Sequence, residues 1–292
     1  MRILICGAGG FIGHHLTLAL ERAGHEVLRG VRQARAANDV AIDFGSETTV
    51  AQWLPRLVGV DAVVNAVGVL RDRHNNPMQA LHDAAPRALF AACAQQGVAR
   101  IVQVSALGVG GPTRTRYFTS REAANHALTQ LDGQLRYLLL RPSLLHGVGG
   151  ASTRLWIGLA RLPVFVLPAQ AKNARLQPAH IDDLTDAVTR WLDDPAAKSR
   201  TVDVAGSCAT DLPGLIASYR AQLGLPPARC VPIPRPLVGL AARVGDRIPA
   251  SLLCSDTLRM LEAGSHADPA TFTELLGRSP RCFEDFIQEA NQ

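Results

Sequence analysis

Tyr117 and Arg121 lie four residues apart in RYFTSREAANHAL, residues 116–128, a segment that leads into a predicted helix. Side chains at this spacing share one face of a helix, so we expect a phenol and a guanidinium next to each other. A tyrosine hydroxyl with its ordinary pKa of about 10 is a poor proton donor or acceptor at neutral pH, and a nearby cation lowers that pKa. The pair is therefore a candidate for acid–base chemistry at Tyr117, or for the remains of such a site.

Three glycines follow the first predicted strand at GxxGxxG spacing, namely Gly7, Gly10 and Gly13, and Phe11 and Ile12 open the next helix. A turn without side chains lets backbone N–H groups approach a pyrophosphate, and the N-terminus of a helix favours its negative charge. Glycine also serves strand-to-helix turns for steric reasons alone. At the amino end of an alternating α/β pattern, however, this turn predicts nucleotide binding.

The end of the second predicted strand indicates which nucleotide binds. An acidic residue there would bind the ribose 2′-hydroxyl of NAD. The strand instead ends at Val31 and is followed by Arg32, with Arg29 inside the strand. A guanidinium pairs with two phosphate oxygens at once, so the sequence favours NADP(H) over NAD(H). Because all but two of the 30 basic residues are Arg, a merely solvated strand end stays open as the alternative.

Short apolar runs alternate with amphipathic segments over the first two thirds of the chain. Strands are predicted at 2–7, 26–31, 61–69, 100–106, 136–143 and 201–206, and helices at 11–23, 75–97 and 117–131. Runs that are apolar on both faces indicate strands covered on both sides, which is typical of a parallel sheet flanked by helices. The alternation predicts an α/β fold with a doubly wound parallel sheet.

The domain prediction divides the chain into a dinucleotide-binding domain, 1–145, to which 179–206 return, and a smaller substrate or partner lobe from 146–178 and 207–292. Within the lobe, RPLVGLAARV, residues 235–244, has the pattern of an amphipathic helix. We expect its apolar stripe to pack inside the lobe, with a membrane or partner helix as the less favoured alternative. Asp182 or Asp183 is predicted to cap a helix.

Several motifs together resemble the short-chain dehydrogenase/reductase superfamily, in the extended or atypical branch that includes NAD-dependent epimerases and dehydratases. ICGAGGFIG is similar to the TGxxGFIG of that branch, AIDF to its adenine-side GDL, NAVG to its motif after strand four, and RPSLLHG to RPxxxxG. The resemblance implies a Rossmann fold. It also implies that Asp43 and Phe44 flank the adenine, that Ala66, Val67 and Gly68 line the nicotinamide ribose, and that Pro142 and Ser143 border the nicotinamide.

Active relatives in this superfamily use a Ser or Thr that holds the substrate carbonyl, a Tyr that donates or accepts a proton, and a Lys that binds the ribose. Tyr117 matches the Tyr and Arg121 occupies the Lys position, with the charge kept and the donor geometry changed. Leu107 stands where the Ser or Thr belongs, and Leu forms no hydrogen bond. Ser105 takes that role only if the loop shifts, and otherwise satisfies local backbone.

VSALGV, QPAHIDDL and LLGRSPRCFEDFI are similar to the respiratory complex I accessory-subunit family of this superfamily and its bacterial relatives. Two functions follow from the resemblance. One is an NADP-dependent oxidoreductase that acts on a small carbonyl or alcohol. The other is a nucleotide-binding structural, assembly or sensor protein, in which the bound nucleotide stabilises the fold while a surface recruits a protein partner.

Composition narrows the function classes. The chain has 292 residues, 47% hydrophobic and 19% charged, which suits a globular protein of one large domain or two smaller ones. The formal charge of +5 is modest and its arginines are scattered, which argues against nucleic-acid binding. No leader pattern and no apolar run long enough for a membrane span is found, so a cytoplasmic location is expected.

The six cysteines form no CxxC pair and no zinc-like spacing with histidine, so we expect reduced, mostly buried thiols and no metal site. Three histidines come near the predicted pocket: His14, His15 and His146. Each is expected to be an ordinary packed or surface residue rather than a catalytic one.

Overall fold

The computed structural model describes residues 1–72, 77–248, 251 and 253–287. Its strands are β1 (Arg2–Cys6), β2 (Glu26–Val31), β3 (Asp39–Ala41), β4 (Ala62–Asn65), β5 (Arg100–Val104), β6 (Arg136–Pro142), β7 (Leu145–His146), β8 (Val164–Pro168), β9 (Ala179–His180), β10 (Arg200–Val204) and β11 (Arg229–Ile233). Its α-helices are α1 (Phe11–Arg22), α2 (Val50–Trp53), α3 (Ala85–Gln96), α4 (Arg116–Thr129), α5 (Ala151–Ala160), α6 (Ile181–Asp193), α7 (Leu212–Gln222), α8 (Arg235–Gly245), α9 (Ser255–Ala263) and α10 (Ala270–Leu276).

A seven-stranded parallel sheet with helices around it is the centre of the fold, in the order β10-β6-β5-β4-β1-β2-β3. From β1 the chain first builds β2 and β3 on one side, and then continues with β4 on the other. The order therefore reverses between β1 and β4, and in open α/β sheets ligands bind at the carboxyl ends of the strands beside such a reversal.

The prediction of a doubly wound parallel α/β fold is confirmed. Its physical basis is visible in β4, where all four residues are buried, and in β1, where Ile3, Leu4 and Ile5 have no exposed surface. Strands buried on both faces carry no polar alternation, which is why continuous apolar runs could be recognised as parallel strands.

Two predicted elements differ in extent from the structure. The strand predicted at 61–69 ends at Asn65, whose side-chain Oδ1 accepts a hydrogen bond from the Val67 N–H and turns the chain out of the sheet. The helix predicted at 75–97 has its first two residues outside the described part of the chain. Ala80–Ala84 then forms a π-helical turn that leads into α3.

The structure divides into two compact units. The first comprises Met1–Gly110, Arg116–Arg141 and Thr185–Val202, and the second comprises Gly111–Thr115, Pro142–Leu184 and Asp203–Gln292. The core of the first unit is built on the sheet, with Trp53 and Phe90 among its large buried side chains. The second unit has its own core around Tyr219, Phe283 and Phe286.

The helix predicted over 235–244 is observed as α8, but only part of its apolar surface packs. Val238 and Ala242 are buried, whereas Leu240 is 62% exposed and Val244 is 53% exposed. The expectation that the apolar stripe packs within the lobe therefore holds for Val238 and Ala242 and is wrong for Leu240 and Val244. In the described part of the chain, no helix has both the length and the apolar character needed to cross a membrane.

Two further expectations are corrected in the second unit. Cys208 and Cys282 are paired as a disulfide with their Cα atoms 5.3 Å apart, so these two thiols are not free. Asp183 does not cap α6, because its side chain is fully buried and accepts hydrogen bonds from Arg278 and Arg281. The disulfide and the ion pair both join residues that are distant in sequence, so no local sequence pattern predicts either of them.

Candidate functional site

The turn between β1 and α1 has the geometry of a phosphate-binding turn. Gly7 has φ +82°, in the left-handed region that favours glycine, and its N–H donates to the Gly30 carbonyl at 3.0 Å. A Cβ on Gly13 would clash with the Gly7 carbonyl, so α1 packs this closely on the turn only with glycine there. The first N–H groups of α1, from Phe11 to Gly13, have no intrahelical acceptor and are suited to an anion.

A cavity of about 310 Å³ opens beside this turn at the strand ends. The glycine turn, the end of β2, the segment after β3 and the segment after β4 line it, with side chains that include Arg32, Asp43, Phe44, Val67 and Val69. Asp43 is held in place because its Oδ1 accepts from the Gly45 N–H at 2.9 Å. The predicted contributors Ala66 and Gly68 also line this cavity.

A second, basic depression shares Val31 and Arg32 with that cavity and is also lined by Arg29 and Arg35. The Arg29 Nε lies 3.3 Å from the Asp39 carboxylate, so its charge is partly neutralised. Backbone N–H groups of Arg35 and Ala36 donate to Asp39 and lower the pKa of that carboxyl group. Sequence reasoning missed Arg35, since it lies outside β2 and only the loop brings it to the depression.

Arg121 is buried, at 4% exposure, and lies against Tyr117 as the spacing on α4 requires. Its guanidinium carbon lies 4.8 Å from the centre of the Tyr117 ring, an arrangement in which the cation stabilises the electron-rich ring. Arg121 Nη1 donates to the Val104 carbonyl at 3.0 Å, which ties the guanidinium to the end of β5. Among the described residues, its buried Nε has no hydrogen-bond partner.

His82 is a member of this group that sequence reasoning missed. Its Nε2 lies 3.3 Å from Arg121 Nη2 and accepts the Val69 N–H at 3.0 Å, while its Nδ1 lies 2.8 Å from Ser120 Oγ. Burial, and then the Arg121 charge, lower the pKa of His82 to about 2, so its imidazole is neutral. A histidine in a segment without a recognised motif offers no signal in a single sequence.

Ser105 contacts the same helix through its side chain. Its Oγ accepts a hydrogen bond from Asn125 Nδ2 at 2.7 Å, and Asn125 lies one turn beyond Arg121 on α4. Tyr117, Arg121 and Asn125 therefore occupy one face of the helix. Leu107 lies in the loop after β5 and is partly exposed, so the usual carbonyl-binding position carries an apolar side chain.

Pro142 and Ser143 belong to the second unit. The Ser143 Oγ donates to the Gln177 carbonyl at 2.5 Å, and the Ser143 N–H donates to the Val204 carbonyl at 2.9 Å. Both polar groups of Ser143 therefore hold backbone segments of this unit together.

The three histidines singled out in the sequence are packed or exposed. His146 is 5% exposed, and its Nδ1 lies 2.8 Å from the Tyr219 hydroxyl. Burial and the neighbouring His180 lower the pKa of His146 to about 3. His14 is exposed, and His15 contacts the Phe11 ring edge-on at 5.3 Å. Among the described residues, no group of three or more His, Cys, Asp or Glu side chains could hold a metal ion.

Comparisons with known proteins identify relatives of this chain. An epimerase family protein of Mycobacterium bovis is 34% identical over 192 residues, 60% of this chain and 58% of the relative. The Arabidopsis thaliana mitochondrial NADH dehydrogenase [ubiquinone] 1 alpha subcomplex subunit 9 is 23% identical over 69% of this chain and 53% of its own. The chain thus spans little more than half the length of either curated relative.

A nucleoside-diphosphate-sugar epimerase from Staphylococcus aureus has the same fold, with a TM-score of 0.77 and 17% identity over 99% of this chain and 100% of that one. The sequence profile of the NAD dependent epimerase/dehydratase family matches residues 3–205, which include the glycine turn, the cavity and α4. The resemblance seen in the motifs is confirmed, and the chain belongs to the NAD dependent epimerase/dehydratase family, whose ligand is a nicotinamide dinucleotide.

Proposed function

We propose that this protein binds NADP(H) in the cavity of the first unit and is at most a weak oxidoreductase toward a small carbonyl or alcohol. The observation that carries the proposal is the basic depression, which shares Val31 and Arg32 with the cavity beside the glycine turn. A dinucleotide laid from the turn toward β2 brings its adenosine ribose to that shared wall. A 2′-phosphate there would meet arginine instead of an acidic residue.

The three arginines of the depression do not contribute equally. Arg29 has Asp39 as an ion-pair partner at 3.3 Å, whereas the Arg35 guanidinium contacts the neutral Gln33 side chain at 3.2 Å. Arg32 lines both the cavity beside the glycine turn and the basic depression. Arg32, assisted by Arg35, is therefore the proposed anchor of the 2′-phosphate, since a guanidinium binds two phosphate oxygens in parallel.

The remaining contacts follow the course of the dinucleotide. The backbone N–H groups of Phe11, Ile12 and Gly13 at the start of α1 bind the pyrophosphate. Gly7 and Gly10 shape the turn that lets it approach, since their own N–H groups donate to the Gly30 and Gly7 carbonyls. Asp43 and Phe44 contact the adenine. Ala66, Val67 and Gly68 line the nicotinamide ribose, with Tyr117 and Arg121 beyond them. The position of Pro142 and Ser143 beside the nicotinamide stays a prediction from the sequence resemblance.

In the reduction of a carbonyl the bound cofactor would supply a hydride and Tyr117 a proton, and in the oxidation of an alcohol the cofactor would accept the hydride and Tyr117 the proton. The Arg121 guanidinium carbon lies 4.8 Å from the centre of the Tyr117 ring, which places a fixed cation beside the proposed proton donor or acceptor. The carbonyl-binding hydroxyl is the weak point. Leu107 offers none, and Ser105, whose Oγ accepts a hydrogen bond from Asn125, is buried at 5% exposure. Loss of one such donor lowers rates by about 10²-fold or more.

That same weakness favours the second candidate, a non-catalytic nucleotide-binding structural, assembly or sensor protein. Nucleotide present at 100 times its dissociation constant would stabilise the fold by about 2.7 kcal/mol, which is a sufficient role without turnover. The second unit would then serve as a partner lobe rather than a substrate lobe. A cytoplasmic location remains a prediction from the sequence, and the Cys208–Cys282 disulfide weakens the argument from reduced thiols.

One set of measurements separates the two candidates. Protein purified without added nucleotide is titrated with NADPH and with NADH, and the loaded protein is then exposed to a panel of aldehydes and ketones while the reduced-nicotinamide absorbance is followed. We expect tighter binding of NADPH and slow or no oxidation. Native turnover that disappears in Tyr117→Phe would establish the enzyme and exclude the structural role.

The double variant Leu107→Ser with Arg121→Lys restores the residue types of active relatives. If oxidation appears only in this variant, the native chain has lost its chemistry and keeps the nucleotide for another purpose. Failure of the native protein to bind either dinucleotide would overturn the proposed function as a whole.

A further inference from the structure

The segment after β4 and the helix α4 are joined by one buried side chain, that of His82. The imidazole is 2% exposed and lies edge-on to the Tyr117 ring, with ring centres 5.6 Å apart. Its contacts reach Val69 on one side and both Ser120 and Arg121 on the other. His82 therefore contacts both the segment after β4, whose residues 66–68 form the predicted nicotinamide-ribose wall, and the helix α4, which carries Tyr117 and Arg121.

The donors around His82 determine where its proton lies. The Val69 N–H and Arg121 Nη2 are both donors, and both point at Nε2, so Nε2 is an acceptor without a proton. The proton is then on Nδ1, which donates to Ser120 Oγ, and the Ser120 hydroxyl donates in turn to the Tyr117 carbonyl at 3.0 Å. In this series of hydrogen bonds from His82 through Ser120 to the Tyr117 carbonyl, each donor has an acceptor.

The guanidinium of Arg121 is correspondingly fixed at both ends. Nη1 donates to the Val104 carbonyl, and Nη2 donates to His82, while Nε lacks a partner among the described residues. A Cβ on Gly68 would clash with Nη2, so glycine at 68 is what allows the arginine so close to the wall. Arginine is longer and broader than lysine, and here the fold holds it by two of its three nitrogens.

We propose that His82 is a positioning residue, which, as a neutral Nδ1-protonated imidazole, fixes Arg121 beneath Tyr117 and beside the nicotinamide-ribose wall. The inference rests on the proposed function for its meaning, since it names the residue that prepares the site for the dinucleotide. It explains how this chain accommodates arginine at a position where active relatives have lysine: the histidine supplies the acceptor that a guanidinium needs.

The test is a double-mutant cycle with His82→Gln and Arg121→Gln, read out as the dissociation constant for NADPH in folded protein. We expect each single variant to bind about fivefold or more weakly, and the double variant to bind no worse than the weaker single one, because residues in one hydrogen-bond network are coupled. His126→Gln, an exposed histidine on the same helix, is the control and should leave affinity unchanged.

A purely structural His82 would give a different result. His82→Gln would then lower thermal stability while leaving the affinity of the folded fraction within twofold, or the two losses would add independently; either outcome overturns the proposal. If His82→Gln does not fold, Ser120→Ala removes only the acceptor of Nδ1–H. We expect that variant to weaken NADPH binding less than Arg121→Gln, and no change at all would count against the proposed chain.

A nitrogen-15 NMR measurement on the ligand-free protein tests the tautomer independently of the nucleotide. We expect an Nδ1-protonated, neutral imidazole at every pH between 5 and 8, and a proton on Nε2 would overturn the assignment. If the native protein binds no dinucleotide, the proposed function fails, but the NMR result and the same cycle measured by denaturant unfolding still decide whether His82 and Arg121 act as a pair.

Discussion

Each compact unit buries a histidine with a strongly lowered pKa, and the two differ in what surrounds them. His82 in the first unit contacts Arg121, a backbone N–H of the cavity wall and Ser120. His146 in the second unit packs against the rings of Tyr219, at 5.2 Å, and Phe286, at 4.9 Å. Burial is the leading cause of the lowered pKa in both.

The comparison shows that a perturbed pKa alone does not identify a functional residue. The lowered pKa of His146 follows from an aromatic core, while that of His82 accompanies contacts with the cavity and the tyrosine–arginine pair. Changes in the buried polar groups of the second unit should therefore affect stability, and changes around the cavity of the first unit should affect nucleotide binding. The predictions below test this division.

The largest expected effect is in the second unit. Asp183 has no exposed side-chain surface and accepts from Arg278 Nη2 at 2.7 Å, from Arg281 Nη1 at 2.6 Å and from the Arg281 N–H at 2.7 Å. Asp183→Ala leaves these donors without their carboxylate, which should reduce the free energy of unfolding by about 3–5 kcal/mol. Denaturant unfolding gives the value, and NADPH affinity of the folded fraction should not change.

Asp182→Ala is the matched control, because the Asp182 side chain is 51% exposed and surface substitutions usually change stability by about 0.5 kcal/mol or less. Equal losses in the two variants would mean that the buried carboxylate has no special role. A large loss of NADPH affinity in folded Asp183→Ala would break the division between the two units.

A smaller effect is expected from pH. A buried neutral histidine has a pKa in the folded protein below its value of about 6.5 in the unfolded chain. As the pH falls below about 6.5, the unfolded chain binds a proton that the folded protein does not, so the free energy of unfolding decreases. The folded pKa is about 2 for His82 and about 3 for His146, so both side chains stay neutral in the folded state between pH 8 and pH 5. Each should reduce the free energy of unfolding by about 2 kcal/mol between pH 8 and pH 5.

Unfolding by denaturant at a series of pH values measures this loss. His146→Gln should remove about half of the histidine-dependent decrease, and the exposed His126→Gln should leave the decrease unchanged. A decrease of the same size in His146→Gln would show that His146 is protonated in the folded state.

The fold was predictable because buried parallel strands leave a strong local signal, as in RILIC of β1, and because the Gly7–Gly13 turn has a distinctive spacing. The site was only partly predictable. Tyr117 and Arg121 are four residues apart on one helix, whereas His82 lies 39 residues from Arg121 and the disulfide joins cysteines 74 residues apart. Contacts over such separations depend on the folded topology, and a single sequence contains no local trace of them.

The smallest expected effect concerns the basic depression of the first unit. Arg32→Gln removes the charge proposed to bind the 2′-phosphate, so the dissociation constant for NADPH should rise about tenfold, equivalent to about 1.4 kcal/mol, while that for NADH stays within about twofold. Arg29→Gln should have a smaller effect on NADPH, since Asp39 already partly neutralises that guanidinium. Fluorescence titration measures the dissociation constants for NADPH and NADH in the native protein and in the two variants. Equal losses for NADPH and NADH in Arg32→Gln would assign Arg32 to a contact that both share, and the preference for NADP(H) would have to be abandoned.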